Sequence, residues 1–411
     1  MAHSLFIIAG ESSGDLHGAH LAQALRERQP DIALAGMGGQ AMAEAGVEVH
    51  RDATAHAAIG ITEVIGSLRT WAHIFRDMER FMDQRQPDAV VLIDSPEFNL
   101  RFARRVHQRG IPCIYYISPQ LWAWRSWRVK SVQRYVDRML VILPFETEFY
   151  ARHGVDATFV GHPLLDVLAD YRHDKAFAER LGLPADRFVL GVLPGSRRKE
   201  IRYMLPAMLG AAERLDRELG GITVATAPAP SFSHEQYEAW REMTSLELHM
   251  FQGKTYEVMA GADLLLVSSG TATLEAGLIG TPMIVPYAAS WVSYQVAKAL
   301  VRTIQFFSLP NLVAGRRVVP ELLQSEVTAE RIADEALTLI RGDGLAAMAH
   351  ELAREVRAPF GAPGASGRAA DEILALLEDT GVPEAGPSEQ YAGDAGGEER
   401  GDGAAGERPQ A

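Results

Sequence analysis

Two doubly wound α/β domains, each a parallel sheet covered by helices on both faces, are the fold class this sequence predicts. Three observations predict it. Short apolar runs alternate with amphipathic helical patterns along most of the chain. The runs are apolar throughout rather than at every second residue, which marks strands buried on both faces. The pattern then restarts after Gly161-His-Pro-Leu164, and 411 residues divide naturally into two cores.

The first series of strands is expected at Ser4–Ala9, Ile32–Gly36, Ala89–Ile93, Pro112–Ile117 and Met139–Ile142. The second is expected at Phe188–Leu193, Ile222–Ala227, Leu246–Phe251, Leu264–Val267 and Met283–Val285. After Leu309-Pro-Asn-Leu312 come three helical patterns, Thr328–Ile340, Ala346–Val356 and Ser366–Asp379. The implied boundaries are a first α/β domain over 1–165, a second over 166–345, and C-terminal helices over 346–380 packing back across both. The stretch 381–411 carries eight Gly, seven acidic and two basic residues and no apolar period, the composition of a disordered acidic tail. In doubly wound sheets ligands lie beyond the carboxyl ends of the strands, so the site is expected in a cleft between the domains.

Composition bounds the function. With 47% hydrophobic and 23% charged residues each domain can bury a core, and a net charge of −13 argues against general nucleic-acid binding. The single cysteine, Cys113, sits in an apolar run, so it reads as a buried strand thiol in a reducing compartment. The N-terminus has no basic segment, its apolar run Leu5–Ala9 is too short for a signal sequence, and no run approaches the ~20 apolar residues of a span. A cytoplasmic chain that does not cross a membrane is expected.

Two turns carry the strongest chemistry. Leu193-Pro-Gly-Ser-Arg-Arg-Lys-Glu200 and Ser268-Ser-Gly-Thr-Ala-Thr-Leu-Glu275 each end an apolar strand and open a helix. Free backbone N–H groups and the positive end of a helix dipole make such a turn an anion site. Gly195, Ser196 and Arg197 at one turn, and Ser269, Gly270, Thr271, Ala272 and Thr273 at the other, are therefore candidate nucleotide contacts. Arg197 adds a planar donor fork suited to phosphate. Glu275, one turn into its helix, has the chemistry to accept from two ribose hydroxyls. No Asp-x-Asp pair ends a strand, so a metal-independent site without cofactor is expected, with Arg197 and helix dipoles carrying the diphosphate charge.

The first domain supplies the rest. Ala9-Gly-Glu-Ser-Ser-Gly-Asp-Leu-His-Gly18 follows the first strand and admits three readings. Gly10-Glu-Ser-Ser-Gly14 matches the G-x-S-x-G elbow with Ser12 as nucleophile. The turn also reads as a plain helix start capped by Ser and Asp. The preferred reading turns Glu11, Ser13 and Gly14 toward a ligand in the cleft. Asp94, in Ile93-Asp-Ser-Pro-Glu-Phe-Asn99, ends a buried strand beside a second acid, Glu97, where an acceptor's general base should stand. Ser118–Lys130 packs three Trp and three cations, among them Trp122, Trp124 and Arg125, which suit a phosphorylated glycan or simply close a domain edge. Across Ser67–Asp83, Leu68, Trp71, Phe75, Met78 and Met82 recur at helical spacing beside Arg69, Arg76 and Arg80, as either a core stripe or a membrane-surface helix. His17 and His20 share a helix face, with no further ligand cluster to support a metal.

Taken together in order, the Ala9 turn, Ser-Pro-Gln-Leu-Trp-Ala-Trp-Arg, Val160-Gly-His-Pro163, Leu-Pro-Gly-Ser-Arg, Ser-Gly-Thr-Ala-Thr-Leu-Glu and Ser308-Leu-Pro-Asn-Leu312 resemble the lipid-A-disaccharide synthase family from about Ser4 to Asp379. The resemblance implies the GT-B architecture of inverting glycosyltransferases. It implies transfer of 2,3-diacylglucosamine from UDP-2,3-diacylglucosamine to 2,3-diacylglucosamine 1-phosphate, giving a β(1→6) disaccharide and UDP. Asp94 matches the family's essential strand-end aspartate, Arg197 and Asn311 match UDP-binding positions, and Glu275 matches the ribose position. The 67–83 helix matches an apolar membrane-facing region. Val64, Ile65, Leu68, Trp71 and Phe75 would then meet the inner-membrane lipid surface of a Gram-negative cell, and a homodimer is compatible with the pattern. Rival readings are a GT-B-fold UDP-sugar epimerase, a Ser12 hydrolase and a non-catalytic nucleotide binder.

Overall fold

The computed structural model describes residues 3–52, 64–123, 125–184, 186–229, 232, 234–288 and 305–380, with backbone alone at 64–70, 198–200, 234–235, 237 and 379–380. The expected tail, 381–411, and Trp124 lie outside the described residues.

The first sheet has seven strands, β1 (Ser4–Ala9), β2 (Ala33–Gly38), β3 (Glu48–Asp52), β4 (Ala89–Ile93), β5 (Cys113–Tyr116), β6 (Arg138–Val141) and β7 (Ala157–Phe159), in the order β3-β2-β1-β4-β5-β6-β7. The second has six, β8 (Phe188–Leu193), β9 (Ile222–Thr226), β10 (Leu248–Met250), β11 (Leu264–Val267), β12 (Met283–Tyr287) and β13 (Glu321–Leu323), in the order β10-β9-β8-β11-β12-β13. All the pairings are parallel. The central strands β1, β4 and β5 are almost wholly buried, and Cys113 is a buried thiol within β5. Three strands that the apolar pattern does not signal, β3, β7 and β13, lie at sheet edges. They are short and half-exposed, so they carry no continuous apolar run.

Strand order reverses once in each sheet. From β1 the chain winds outward to β2 and β3, then returns to lay β4 on the other side of β1, with Ala9 in register against Ile93. The second sheet repeats the plan: β11 returns beside β8, with Val267 against Leu193. At such a reversal adjacent crossover helices go to opposite faces and leave the strand ends between them uncovered. The uncovered pairs are β1/β4 and β8/β11.

The chain crosses between the sheets twice. Leu143 and Leu165, which follow β6 and β7, are buried in the same apolar cluster as Leu193, Val267 and Val285 of the second sheet. Met348, Leu352, Val356 and Phe360 belong to that cluster too, from the helix Gly344–Glu351, the π-helical turn Leu352–Arg357 and the residues after it. The helix Ala365–Thr380 then returns to the first domain, burying Ala369, Ala370, Ile373 and Leu377 against Leu21, Leu25 and Ile7. Arg28 pairs with Asp371 there, and the Arg368 guanidinium donates to the Val160 carbonyl at 2.8 Å.

Helix Val64–Arg85 divides along its length. Ile74, Met78, Phe81 and Met82 are core residues of the first domain, so the Met78–Met82 part of the sequence stripe is core. Phe75 packs half-buried on Phe98 and Phe102, whereas Trp71 is 42% exposed and only tilts against Phe98. The side chains of Val64, Ile65 and Leu68 lie outside the described residues.

Candidate active site at two strand-order reversals

Asp94 leaves the end of β4 in a left-handed conformation (φ 47°), and Ser95 follows in the same region (φ 44°). Each such non-glycine residue costs on the order of 1–2 kcal/mol, and strain of this kind persists where the surroundings impose it. The adjoining turn after β1 makes room for it. A Cβ on Gly10 would stand 2.5 Å from the Ser95 hydroxyl, so only glycine lets the two turns approach. Glu11 then stands at the N-cap position of helix Ser12–Arg28, with no capping hydrogen bond from its side chain, and faces Asp94 closely enough to oppose its ionisation. Burial first, and the Glu11 carboxylate second, push the Asp94 carboxyl up to about 6, against a Ser95 N–H that favours the charged form. Ser13 is exposed beside Glu11, and Gly14 is buried against β1 and β4.

Several first-domain expectations resolve differently. Asp15 does not cap its own helix. Its carboxylate accepts from Gly39, Ala41 and Met42 N–H groups at 2.6–3.1 Å and so holds the start of helix Gln40–Glu44. Ser12 has no positive φ and begins an ordinary helix, which removes the strained elbow a nucleophilic serine needs. Glu97 does not join Asp94. It is ion-paired with Arg125 and Arg128, whose guanidiniums hold its carboxyl below the usual carboxylate range. Trp122 closes a domain edge: its indole donates to the buried Glu146 at 3.1 Å and its ring meets Phe145 edge-on, against the second domain's core. Burial pushes Glu146 up to about 7. Half-buried His17 and buried His162 are held neutral, desolvation pushing them down to about 4 and about 3. Among the described residues no group of three or more His, Cys, Asp and Glu is arranged for a metal.

The second reversal is built differently. Gly195 and Ser196 lie in the turn after β8, and Arg197 stands at the N-cap of the 22-residue helix Arg198–Leu219. Ser268 follows β11, its N–H donating to the Leu193 carbonyl at 3.0 Å, so the two turns emerge side by side. Gly270, at φ 152°, begins helix Thr271–Ile279 with no side-chain cap. A glycine at the N-cap gives the amides of Thr271 and Ala272 no side-chain partner of its own, an arrangement whose chemistry suits an anion. Glu275 is mostly buried and accepts from the Tyr256 hydroxyl at 3.2 Å; burial raises its carboxyl and that hydrogen bond partly offsets the rise.

Asn311 behaves unlike a ligand contact. It is fully buried; its carbonyl accepts from Val318 and Val319 N–H at 2.7 and 2.9 Å, and its amide donates to Val319 O and Glu321 at 2.9 and 2.8 Å. Glu321 also accepts from Phe307 and Ser308, and Ser269 Oγ donates to the Phe307 carbonyl at 2.9 Å. Thr273 is likewise buried, donating to Gly270 O and accepting from Leu309 N–H. Asn311 therefore braces the Ser269–Thr273 turn from behind. Four residues important to this geometry, Asn99, Tyr115, Tyr256 and Glu321, are absent from the sequence reading of the site. Only Asn99 had a signal, its place in the Asp94–Asn99 motif.

Two parallel sheets, one ending in a half-buried acid and the other in helix N-termini beside an arginine, form the two-domain GT-B architecture. Solved structures share this fold at low identity: a UDP-N-acetylglucosamine 2-epimerase from Listeria monocytogenes, described as putative (TM-score 0.63, 14% identity, 93% of this chain and 99% of that one), and MurG of Acinetobacter baumannii (TM-score 0.54, 15%, 92% and 100%). A profile described as lipid-A-disaccharide synthetase matches residues 5–362. Lipid-A-disaccharide synthases of Myxococcus xanthus (44% identical, 91% of this chain and 97% of the relative) and Geobacter sulfurreducens (39%, 92% and 98%) align over nearly their whole length. The chain belongs to the lipid-A-disaccharide synthase family, and is a glycosyltransferase of lipid A biosynthesis.

Replacing Asn311 with Ala should act through this brace. It strips partners from two N–H groups, a carbonyl and Glu321, each buried loss costing about 1–3 kcal/mol. A urea midpoint lowered with unchanged m-value is expected; wild-type stability would mean the network is not holding the turn.

Proposed function

We propose that the enzyme transfers 2,3-diacylglucosamine from UDP-2,3-diacylglucosamine to 2,3-diacylglucosamine 1-phosphate, with inversion, forming the β(1→6)-linked disaccharide and UDP. The observation that carries this reading is the opposition of chemistries at the two reversals. Asp94 at β4 has a carboxyl raised by burial, as suits a base. The turns after β8 and β11 present Arg197 and an uncapped helix end, as suits a leaving diphosphate. Inversion asks for both at once. Asp94 takes the proton from the acceptor 6-hydroxyl as that oxygen attacks the anomeric carbon. The bond to UDP breaks in line through an oxocarbenium-like sugar. The negative charge that grows on UDP is met by Arg197 and the N–H groups near Thr271, dipoles already oriented before the reaction. Glu275 is the group for the ribose hydroxyls, with Tyr256 as its support. Solved neighbours include a Staphylococcus aureus protein with UDP and a Methanocaldococcus jannaschii epimerase with UDP-GlcNAc and UDP, which supports a UDP donor.

Among the described residues no helix is long and apolar enough to cross a membrane. Both substrates carry acyl chains, so the acceptor side must meet lipid. Trp71, exposed near the start of the helix Val64–Arg85 and followed by the exposed Arg76, is the described residue that supports a peripheral contact there.

Four outcomes test the reading. Asp94→Ala should remove most transfer, a base being worth ~10²–10⁴-fold, while UDP affinity stays near wild type. The wild-type rate should have an acid limb near pH 6: Asp94 works ionised, so activity holds above its raised value and is lost as pH falls through it. More than half the wild-type rate in Asp94→Ala, read by radiolabelled-donor assay across pH, defeats the assignment.

Arg197→Ala should instead weaken UDP by about tenfold or more, the loss of a charge-assisted contact of ~1.5–3 kcal/mol. Unchanged UDP binding in calorimetry removes Arg197 from the site.

Trp71→Ser should reduce sedimentation with anionic vesicles while leaving thermal stability nearly unchanged, since that side chain is 42% exposed. Full vesicle binding in Trp71→Ser counts against a lipid contact at this helix.

A further inference from the structure

The strand ends that frame Asp94 are held in conformations the chain does not choose for itself. Asp94 and Ser95 are left-handed, and so is Ile117 (φ 65°) at the end of the neighbouring strand β5. A β-branched residue in this region is a genuine outlier, and three non-glycine cases on adjoining strands mark strain gathered at one place. Such strain needs restraints. Two buried side chains supply them. Asn99, with no exposed surface, donates its amide to the Ile93 carbonyl at 3.0 Å and the Asp94 carbonyl at 2.8 Å. Tyr115, fully buried within β5, donates its hydroxyl to the same Asp94 carbonyl. The Asp94–Ser95 peptide is thus gripped from the helix Pro96–His107 on one side and from β5 on the other.

We propose that Asn99 and Tyr115 are positioning residues for transfer: by clamping the Asp94 carbonyl they fix the left-handed turn and so aim the Asp94 carboxyl at the acceptor hydroxyl. Neither side chain touches the reacting atoms. The proposal rests on the reading of Asp94 as the base. A base must come within hydrogen-bond reach of the proton it removes, and displacements of an ångström are costly. Releasing the carbonyl lets residues 94 and 95 relax toward common backbone regions, and the carboxyl swings with the peptide. Its surroundings change with it. The titratable groups that face Asp94 are Glu11 from the turn after β1 and Tyr115 from β5, with the Ser95 N–H from its own turn. A carboxyl that turns away from burial and from Glu11 ionises at lower pH. The clamp therefore leaves two signatures in the reaction, the rate and the position of its acid limb.

The test uses the full chain carrying Asn99→Ala or Tyr115→Phe, with kcat, KM for both substrates, the pH–rate profile and urea stability measured together. Asn99→Ala should lower kcat by roughly 10–100-fold, the scale of a misplaced catalytic group. Donor KM should stay within about twofold, as for an interaction that matters only in the transition state. Its acid limb should move to lower pH than wild type. Tyr115→Phe should move kcat and limb in the same directions by less, since Asn99 still holds the carbonyl. Wild-type kcat and limb in both variants, with stability alone reduced, would overturn the proposal. If Asn99→Ala does not fold, Tyr115→Phe decides, because it removes one oxygen from an otherwise packed ring. An inactive Asp94→Ala beside clamp variants that behave like wild type defeats the positioning role alone. An active Asp94→Ala defeats the base reading itself.

Discussion

The right-handed crossover between parallel strands is the constraint from which the rest of this enzyme follows. A strand twisted as L-residues require returns to its sheet by one hand of connection, so a sheet that grows first to one side and then to the other must leave a gap. The gap falls between β1 and β4 in one sheet and between β8 and β11 in the other. Loops separated by scores of residues are thereby set side by side. Gly10–Gly14 meets Asp94, and Gly195–Arg197 meets Ser268–Thr273. Function needed only to furnish those four loops with the right groups.

The furnishing is asymmetric. At β4 an acid is partly buried, strained, and opposed by a neighbouring carboxylate, so its proton affinity rises toward neutrality. At β8 and β11 the polarity runs the other way: helix N-termini stand there, one with Arg197 and the other with Gly270 at its N-cap. Both arrangements rely on rigid support rather than on the reacting groups themselves. Asn99 and Tyr115 grip the turn at Asp94, as Asn311 and Glu321 brace the turn at Ser269. The two asparagines do equivalent work with the same chemistry: a buried amide satisfies backbone groups that no secondary structure pairs.

The covalent path ties the two halves at two points. One is Val160–Leu165, the other the residues between Phe360 and Ala365, and Arg368 links them by reaching the Val160 carbonyl. Any movement of one sheet relative to the other must be absorbed in these two crossings, since each is flanked by buried anchors, Leu165 and Phe360 on the second-domain side and Val160 and Ala369 on the first. His162, held neutral by burial with its Nδ1 accepting the Leu164 N–H, fixes the turn at the first crossing.

Much of this was legible in the sequence because the deciding forces are local or one-dimensional. Continuous apolar runs located the buried strands, Gly-rich turns marked the loops that follow β1, β8 and β11, and Asp94 stood out as an acid that ends an apolar run. The edge strands β3, β7 and β13 escaped notice, since half-exposed edges need no apolar run. The partners of polar side chains escaped too. Sequence put Glu97 beside Asp94, offered Asp15 as a cap of its own helix in one reading, left Trp122 between a glycan contact and a domain edge, and matched Asn311 to a UDP position by resemblance. Tertiary structure gave Glu97 to Arg125 and Arg128, Asp15 to the helix at Gln40, Trp122 to Glu146 and Asn311 to the backbone at Val318. The physical reason is one of range. Burial and backbone propensity are read from a residue and its neighbours, so the sequence by itself determined the two sheets and the loops that end them. A hydrogen bond or ion pair depends on which distant segment arrives within 3 Å, and only the folded chain decides that.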